Sequence, residues 1–234
     1  MSLPVRAVFF DVDFTLIYPG PTFQAEGYER FCRRRGIDID PAQFPHAVAA
    51  ASVLLSAEQD HVYDAAIFVR YTRRIIEAMG GAASGAELDA VARDIYDEWA
   101  VCQHFFLYPD VAPVLHALAR SGLTLGLISN AHRCLTSFQE HFELASLISV
   151  AVSSSEHGFM KPHPSIFEAA LALAGVRAEE SVMVGDSLAH DIEGAKRIGM
   201  RGVLVDRSDD PAVTDSDVSV IRTFADLPAL LGAL

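Results

Sequence analysis

Short apolar runs alternate along the chain with stretches whose apolar positions recur every three to four residues. Val5–Phe10 reads as a buried strand, and Leu123–Ile128, Ile148–Val152, Val182–Val184 and Gly202–Val205 repeat its character. Val218–Ile221 is a candidate sixth strand. Strands that are apolar throughout suit a parallel sheet covered on both faces. Helices are predicted between them over Val111–Arg120, Pro164–Ala174 and Ile192–Ile198, with Gly122, Gly175 and Gly199 as C-terminal stops. Strand, helix, strand at this spacing predicts an α/β protein with a Rossmann-like three-layer core around a parallel sheet.

One long stretch breaks the alternation. Between about residue 18 and residue 108 the pattern is helical only. Phe23–Arg35 ends at Gly36, and Val62–Met79 ends at Gly80-Gly81. Ser84 and Glu87 have capping-box spacing, and Leu88, Val91, Ala92, Ile95 and Trp99 follow at helical period. The expected organisation is therefore a core of residues 1–17 and 109–234, with residues 18–108 inserted after the first strand as a helical cap. Pro19-Gly20-Pro21 and Pro109 mark the crossings. Ligands of open α/β sheets bind beyond the carboxyl ends of the strands, so such an insertion would sit over the site.

Composition narrows the function classes. Of 234 residues, 51% are apolar and 21% charged, which supports a packed core rather than disorder. Eighteen Lys and Arg against 31 Asp and Glu give a net charge of −13, unsuited to holding nucleic acid or anionic membrane by bulk charge. No run suits a bilayer span, and no signal peptide is expected. Only Lys161 and Lys196 are lysines. Cys32, Cys102 and Cys134 are scattered and odd in number, which points to a reducing, cytoplasmic setting rather than a disulfide framework or zinc site.

Four segments carry candidate chemistry. Asp11-Val12-Asp13-Phe14-Thr15 follows the first strand, so two carboxylates project from one side of a strand end. Gly185-Asp186-Ser187-Leu188-Ala189-His190-Asp191 follows another strand. Two acidic clusters at strand ends of one sheet suit one hard cation such as Mg²⁺. The structural alternatives are a solvated turn for the first and a helix cap with a first-turn acid for the second. Ser129-Asn130, with backbone N–H groups of a following helix start, suits a phosphate oxygen or is a helix cap. Lys161, before Pro162-His163-Pro164, is a further site cation or a solvated loop lysine.

In this order, the four segments resemble the haloacid dehalogenase-like (HAD) hydrolase superfamily, in its phosphatase branch with a type-1 helical cap. The matching residues are DxDxT at Asp11–Thr15, S-N at Ser129-Asn130, K-P at Lys161-Pro162 and GDSxxxD at Gly185–Asp191. The resemblance implies that Asp11 attacks phosphorus to form an aspartyl-phosphate. Asp13 would protonate the leaving oxygen and then activate water. Lys161 would neutralise charge, and Thr15, Ser129, Asn130 and Lys161 would bind phosphate. Mg²⁺ would be held by Asp11, Asp186 and the backbone carbonyl of Asp13, with Asp191 completing its outer shell or neighbouring Asp186. The substrate would be a small phosphorylated metabolite, with neither nucleic acid nor membrane as partner.

Asp13 separates this pattern from dehalogenases, which lack that second aspartate, and the absence of lysine from the insertion argues against phosphonate cleavage through a Schiff base. A phosphomutase, a dehalogenase-like hydrolase and a weakly catalytic binding or regulatory protein remain as alternatives. Phe14 stands where relatives often have Gly, which bears on the substrate. Arg70, Arg73 and Arg74 share a helix face, either as a clamp for an anionic substrate or as a solvated face paired with acids. Phe14 and these arginines are the candidate specificity residues. Phe105, Phe106 and Tyr18 near the crossings suit hinge packing, and His157, His163 and His190 have no metal-ligand spacing.

Overall fold

Eight strands are found among the described residues, which are 3–56, 61–208 and 218–233 of this computed structural model. They are β1 (Ala7–Phe10), β2 (Ile17–Pro19), β3 (Phe105–Leu107), β4 (Thr124–Ser129), β5 (Ile148–Ser153), β6 (Ser181–Gly185), β7 (Arg201–Val205) and β8 (Ser219–Ile221). Six form one sheet in the order β5-β4-β1-β6-β7-β8, every pairing parallel. The α-helices are α1 (Ala25–Arg34), α2 (Phe44–Ser56), α3 (Ala65–Ala78), α4 (Gly85–Glu98), α5 (Val111–Arg120), α6 (Leu135–His141), α7 (Ser154–His157), α8 (Pro164–Ala174), α9 (Gly194–Arg197) and α10 (Leu227–Ala233). By contacts the chain divides into two units, Met1–Tyr18 with Leu107–Leu234 and Pro19–Phe106.

The sheet sits in the first unit, and its apolar strands explain its position. All four residues of β1 are fully buried, as are Val182, Met183 and Val184 of β6. Ala7, Phe9 and Met183 point to one face, against Ile166, Phe167 and Ala170 of α8. Phe10 points to the other, where its ring lies 5.8 Å from that of Phe224. Burying a side chain of this size stabilises by about 1.5–3 kcal/mol, so the central strands are the most firmly held part of the unit. Their carboxyl ends are where Asp11, Ser129 and Asp186 emerge.

The second unit is helical, closed by short strands. Ser84 and Glu87 form the expected capping box at α4. Leu88, Val91, Ala92 and Ile95 are buried, as the period requires. Gly36, Gly80, Gly122, Gly175 and Gly199 all have positive φ and stop the helices before them.

Four features differ from the sequence pattern. The stretch from 18 to 108 is not helical throughout, because β2 and β3 pair as a two-stranded ribbon at its ends. Helices α2, α6, α7 and α10 were not predicted. The run Phe44–Ser56 is rich in Ala and Val with no clear polar period, and the other three are short. The helix expected over Ile192–Ile198 starts earlier, as a wide turn from Leu188 to Glu193 in which Ile192 N–H reaches Ser187 O at 3.3 Å. No helix start follows Ser129-Asn130 directly, since α6 begins at Leu135. Among the described residues, no helix is long and apolar enough to cross a membrane.

Candidate active site

β4, β1 and β6 are neighbours, so the residues that follow them meet in one place. Asp11 continues the ladder, its N–H donating to Val184 O at 2.9 Å. Carboxylate oxygens of Asp11, Asp186 and Asp191 lie within 4.8 Å of one another. Asp11 and Asp191 are buried, whereas Asp186 opens to solvent at the lip. The wide turn after β6 is what brings Asp191 back: its Oδ2 accepts from Ser187 N–H at 3.0 Å. Ser187 also caps that turn, its hydroxyl accepting from His190 N–H at 3.2 Å. Gly185 makes room for the arrangement. A Cβ there would stand 2.2 Å from Asp191 Oδ2, closer than atoms can approach.

Lys161 enters from the loop before α8 and is buried. Its Nζ donates to Asp11 Oδ1 and to Asp191 Oδ1, each at 2.6 Å. Burial alone would drive the ammonium toward its neutral form. The two carboxylates outweigh that and hold its pKa above the ordinary lysine value. Asn130 fixes the loop, donating to Lys161 O at 2.9 Å and accepting from Lys161 N–H at 2.7 Å. Its amide is thus a latch for Lys161, where the sequence pattern suggested a phosphate ligand. Thr15 braces a neighbour as well. It is fully buried, and its hydroxyl donates to Asp186 Oδ1 at 3.3 Å. Ser129 Oγ is buried and has no hydrogen-bond partner among the described residues, which suits a hydroxyl awaiting an acceptor oxygen.

Asp13 is held by a residue the sequence pattern did not single out. Arg133 is 1% exposed, and its Nη1 donates to both Asp13 oxygens, at 3.0 and 3.2 Å. Burial raises the Asp13 pKa, Arg133 opposes that, and repulsion from Asp11 adds to it, for a net rise. A signal was available. Ala131, Arg133 and Leu135 are alternate residues on one buried side, and an inward arginine needs an acid. The Asp13 side chain is not among the three clustered carboxylates, so only its backbone carbonyl is left for a metal.

The donor set fits a hard divalent cation. It is all oxygen, and its four carboxyls, when ionised, outnumber the two buried cations by two. Asp186 and Asp191 both have raised pKa values, chiefly from burial and then from neighbouring carboxylates, Lys161 opposing. A cation would relieve that repulsion. Both Asp191 oxygens are already engaged, which leaves Asp11 and Asp186 for direct coordination.

A model of the haloacid dehalogenase-like hydrolase family matches residues 5–199. The chain belongs to that family. Mouse N-acylneuraminate-9-phosphatase is 31% identical, over 98% of this chain and 95% of its own. The ribulose-1,5-bisphosphate 5-phosphatase of Halopiger xanaduensis is 31% identical, over 90% and 88%. Among solved structures, a HAD phosphatase from Thermococcus onnurineus superposes with a TM-score of 0.67 at 25% identity, covering 97% of this chain and 98% of that one. This HAD hydrolase is thus a phosphatase by kinship, and relatives act on small phosphorylated substrates.

The remaining expected residues lie around this centre or in the helical unit. Phe14 is 46% exposed and has φ of 64°, a left-handed conformation that an aromatic residue adopts at a cost and glycine adopts freely. Phe14, Tyr108, Asp186, Leu188 and Arg207 line a cavity of about 300 Å³. Arg207 stacks 3.9 Å over Tyr108 and bonds both Asp110 oxygens at 3.0 Å. In the helical unit, Arg73 bonds Glu77 at 2.8 Å and Asp89 at 2.9 Å, and Arg74 lies 3.9 Å from Glu77. Those pairings engage Arg73 and Arg74 with acids, and Arg70 of the same row is exposed.

Proposed function

We propose that this HAD hydrolase is a Mg²⁺-dependent phosphomonoester hydrolase that works on a small phosphorylated metabolite through an aspartyl-phosphate. The observation that carries the proposal is Asp11, with one oxygen neutralised by Lys161 at 2.6 Å and, on the neighbouring strand end, a Ser129 hydroxyl with no hydrogen-bond partner among the described residues. Asp11 attacks phosphorus with its other oxygen, and the bond from phosphorus to the leaving oxygen breaks. Asp13 gives its proton to that oxygen and then takes one from the water that opens the aspartyl-phosphate. Ser129 and Lys161 stabilise the charge on the phosphoryl oxygens. Asp11, Asp186 and the Asp13 carbonyl would hold Mg²⁺, with Asp191 behind them, and the ion would there neutralise charge between carboxylate and phosphate.

Residues 19–106 are assigned the role of a cap that admits substrate and excludes water. Phe14 and Tyr108 offer the leaving group an apolar wall beside Asp186. A cytoplasmic location completes the proposal. The test is phosphate release from a panel of phosphorylated metabolites, with Mg²⁺ or EDTA, wild type beside Asp11→Asn. Release that requires both Mg²⁺ and Asp11 supports the proposal. Turnover unchanged in Asp11→Asn refutes the nucleophile, and turnover unchanged in EDTA refutes the metal.

A further inference from the structure

Arg133 is among the largest side chains in the protein with almost no solvent exposure. It comes from the loop between β4 and α6 and meets Asp13 across 120 residues of sequence. Burying an arginine–carboxylate pair is costly, and apolar residues of similar volume often serve stability as well or better. A pair placed beside the reacting groups therefore calls for a reason other than stability. Arg133 is too deeply buried to touch a substrate. Its geometry supplies the reason: one N–H bridges both carboxylate oxygens, which fixes the plane of the Asp13 carboxyl and occupies the edge between the oxygens.

We infer that Arg133 is a positioning residue, which aims the Asp13 carboxyl at the leaving oxygen. The inference rests on the proposed function. In the step concerned, Asp11 forms a bond to phosphorus and the electron pair of the breaking bond goes to the leaving oxygen. That oxygen takes the Asp13 proton and departs as an alcohol. An alkyl leaving group depends on this proton; a nitrophenyl leaving group departs as a stable anion and hardly needs it. General acid assistance is worth about 10²–10⁴-fold, so misaiming it must show as leaving-group selectivity.

The experiment compares kcat/KM, which reports leaving-group departure, for an alkyl phosphate the enzyme hydrolyses and for p-nitrophenyl phosphate, in wild type, Arg133→Met, Arg133→Lys, Asp13→Asn and the double variant Arg133→Met/Asp13→Asn. Arg133→Met is expected to lower the alkyl-to-aryl ratio by at least about tenfold, and Arg133→Lys to restore part of it. The double variant should be no worse than Asp13→Asn alone, because both act on one event. Equal losses on the two esters, or additive losses in the double variant, would reduce Arg133 to a structural counter-charge. If Arg133→Met does not fold, the ratio in Arg133→Lys decides. An unchanged ratio in Asp13→Asn would instead overturn the acid role of Asp13, a failure of the proposed function rather than of Arg133 alone.

Discussion

Replacing Gly185 by alanine adds one methyl group where the structure has no space for it. The new Cβ would stand 2.2 Å from Asp191 Oδ2, 2.4 Å from its Cγ and 2.6 Å from its Cβ. An ordinary contact is about 3.5–4.0 Å, so Asp191 has to retreat by roughly an ångström or more. That retreat breaks its bonds to Lys161 Nζ and Ser187 N–H. Overpacking costs about 1–3 kcal/mol, and exposing a buried charge pair adds to it. We expect a loss of about 3 kcal/mol, or some 6–12 °C in Tm for a chain of this length. The decisive assay is Mg²⁺ affinity by calorimetry, with Gly122→Ala as control. Gly122 has φ of 80°, and a Cβ added to it would meet no atom within 4 Å, so its replacement strains the backbone without touching the site. Gly185→Ala should weaken Mg²⁺ binding at least about tenfold, in line with loss of a supporting shell, and Gly122→Ala should leave it unchanged. Wild-type Mg²⁺ affinity in Gly185→Ala would refute the view that this glycine exists to seat Asp191.

Two further outcomes follow from the same geometry. Asp191 and Asp186 are pushed up to about 6 and about 8, by burial first and then by neighbouring carboxylates. A folded carboxyl with a raised pKa binds more protons than the unfolded chain, so these groups make the metal-free protein lose stability as pH rises from about 4 to 8. Mg²⁺ binding must expel those protons, so the rise in Tm on adding Mg²⁺ should be larger near pH 8 than near pH 5.5, and an equal rise at both would refute the linkage. Phe14→Gly removes a left-handed aromatic residue and should stabilise by about 1 kcal/mol, read by urea denaturation, while raising KM if Phe14 touches the leaving group. Destabilisation would mean that the ring is held by packing that outweighs its backbone strain.

The sheet was legible because buried parallel strands have little choice of residue. All six strands of the sheet were found, and Val111–Arg120 and Pro164–Ala174 match α5 and α8 end to end. The site acids were legible because each cluster follows a strand end directly. Arg133 was missed because its partner lies 120 residues away, so its alternation with Ala131 and Leu135 marks an inward arginine without naming the acid it meets. Thr15 and Asn130 were found, but the bonds of Thr15 to Asp186 and of Asn130 to the Lys161 backbone were not. Whether a hydroxyl or amide faces a ligand or braces a neighbour depends on rotamers that tertiary packing decides. The wide turn at Leu188–Glu193 was hidden for a similar reason, since the return of Asp191 to Ser187 N–H competes with regular helix. Phe14 carried a readable clue, an aromatic where a turn wants glycine, and its φ shows what that turn demands.

Asp110 accepts from both terminal nitrogens of Arg207, from the Thr223 hydroxyl and from Phe224 N–H, all between 2.8 and 3.0 Å. Three of the four residues in that knot lie beyond 199, where the family match stops. The clustered acids with Lys161 and the fastening of the segment next to them are therefore encoded in different portions of the gene. A fragment trimmed to the recognisable family region would retain every acid and lysine of the centre and lose β7, β8 and the stack of Arg207 on Tyr108. For anyone shortening, fusing or splitting this enzyme, the family boundary is the wrong place to cut.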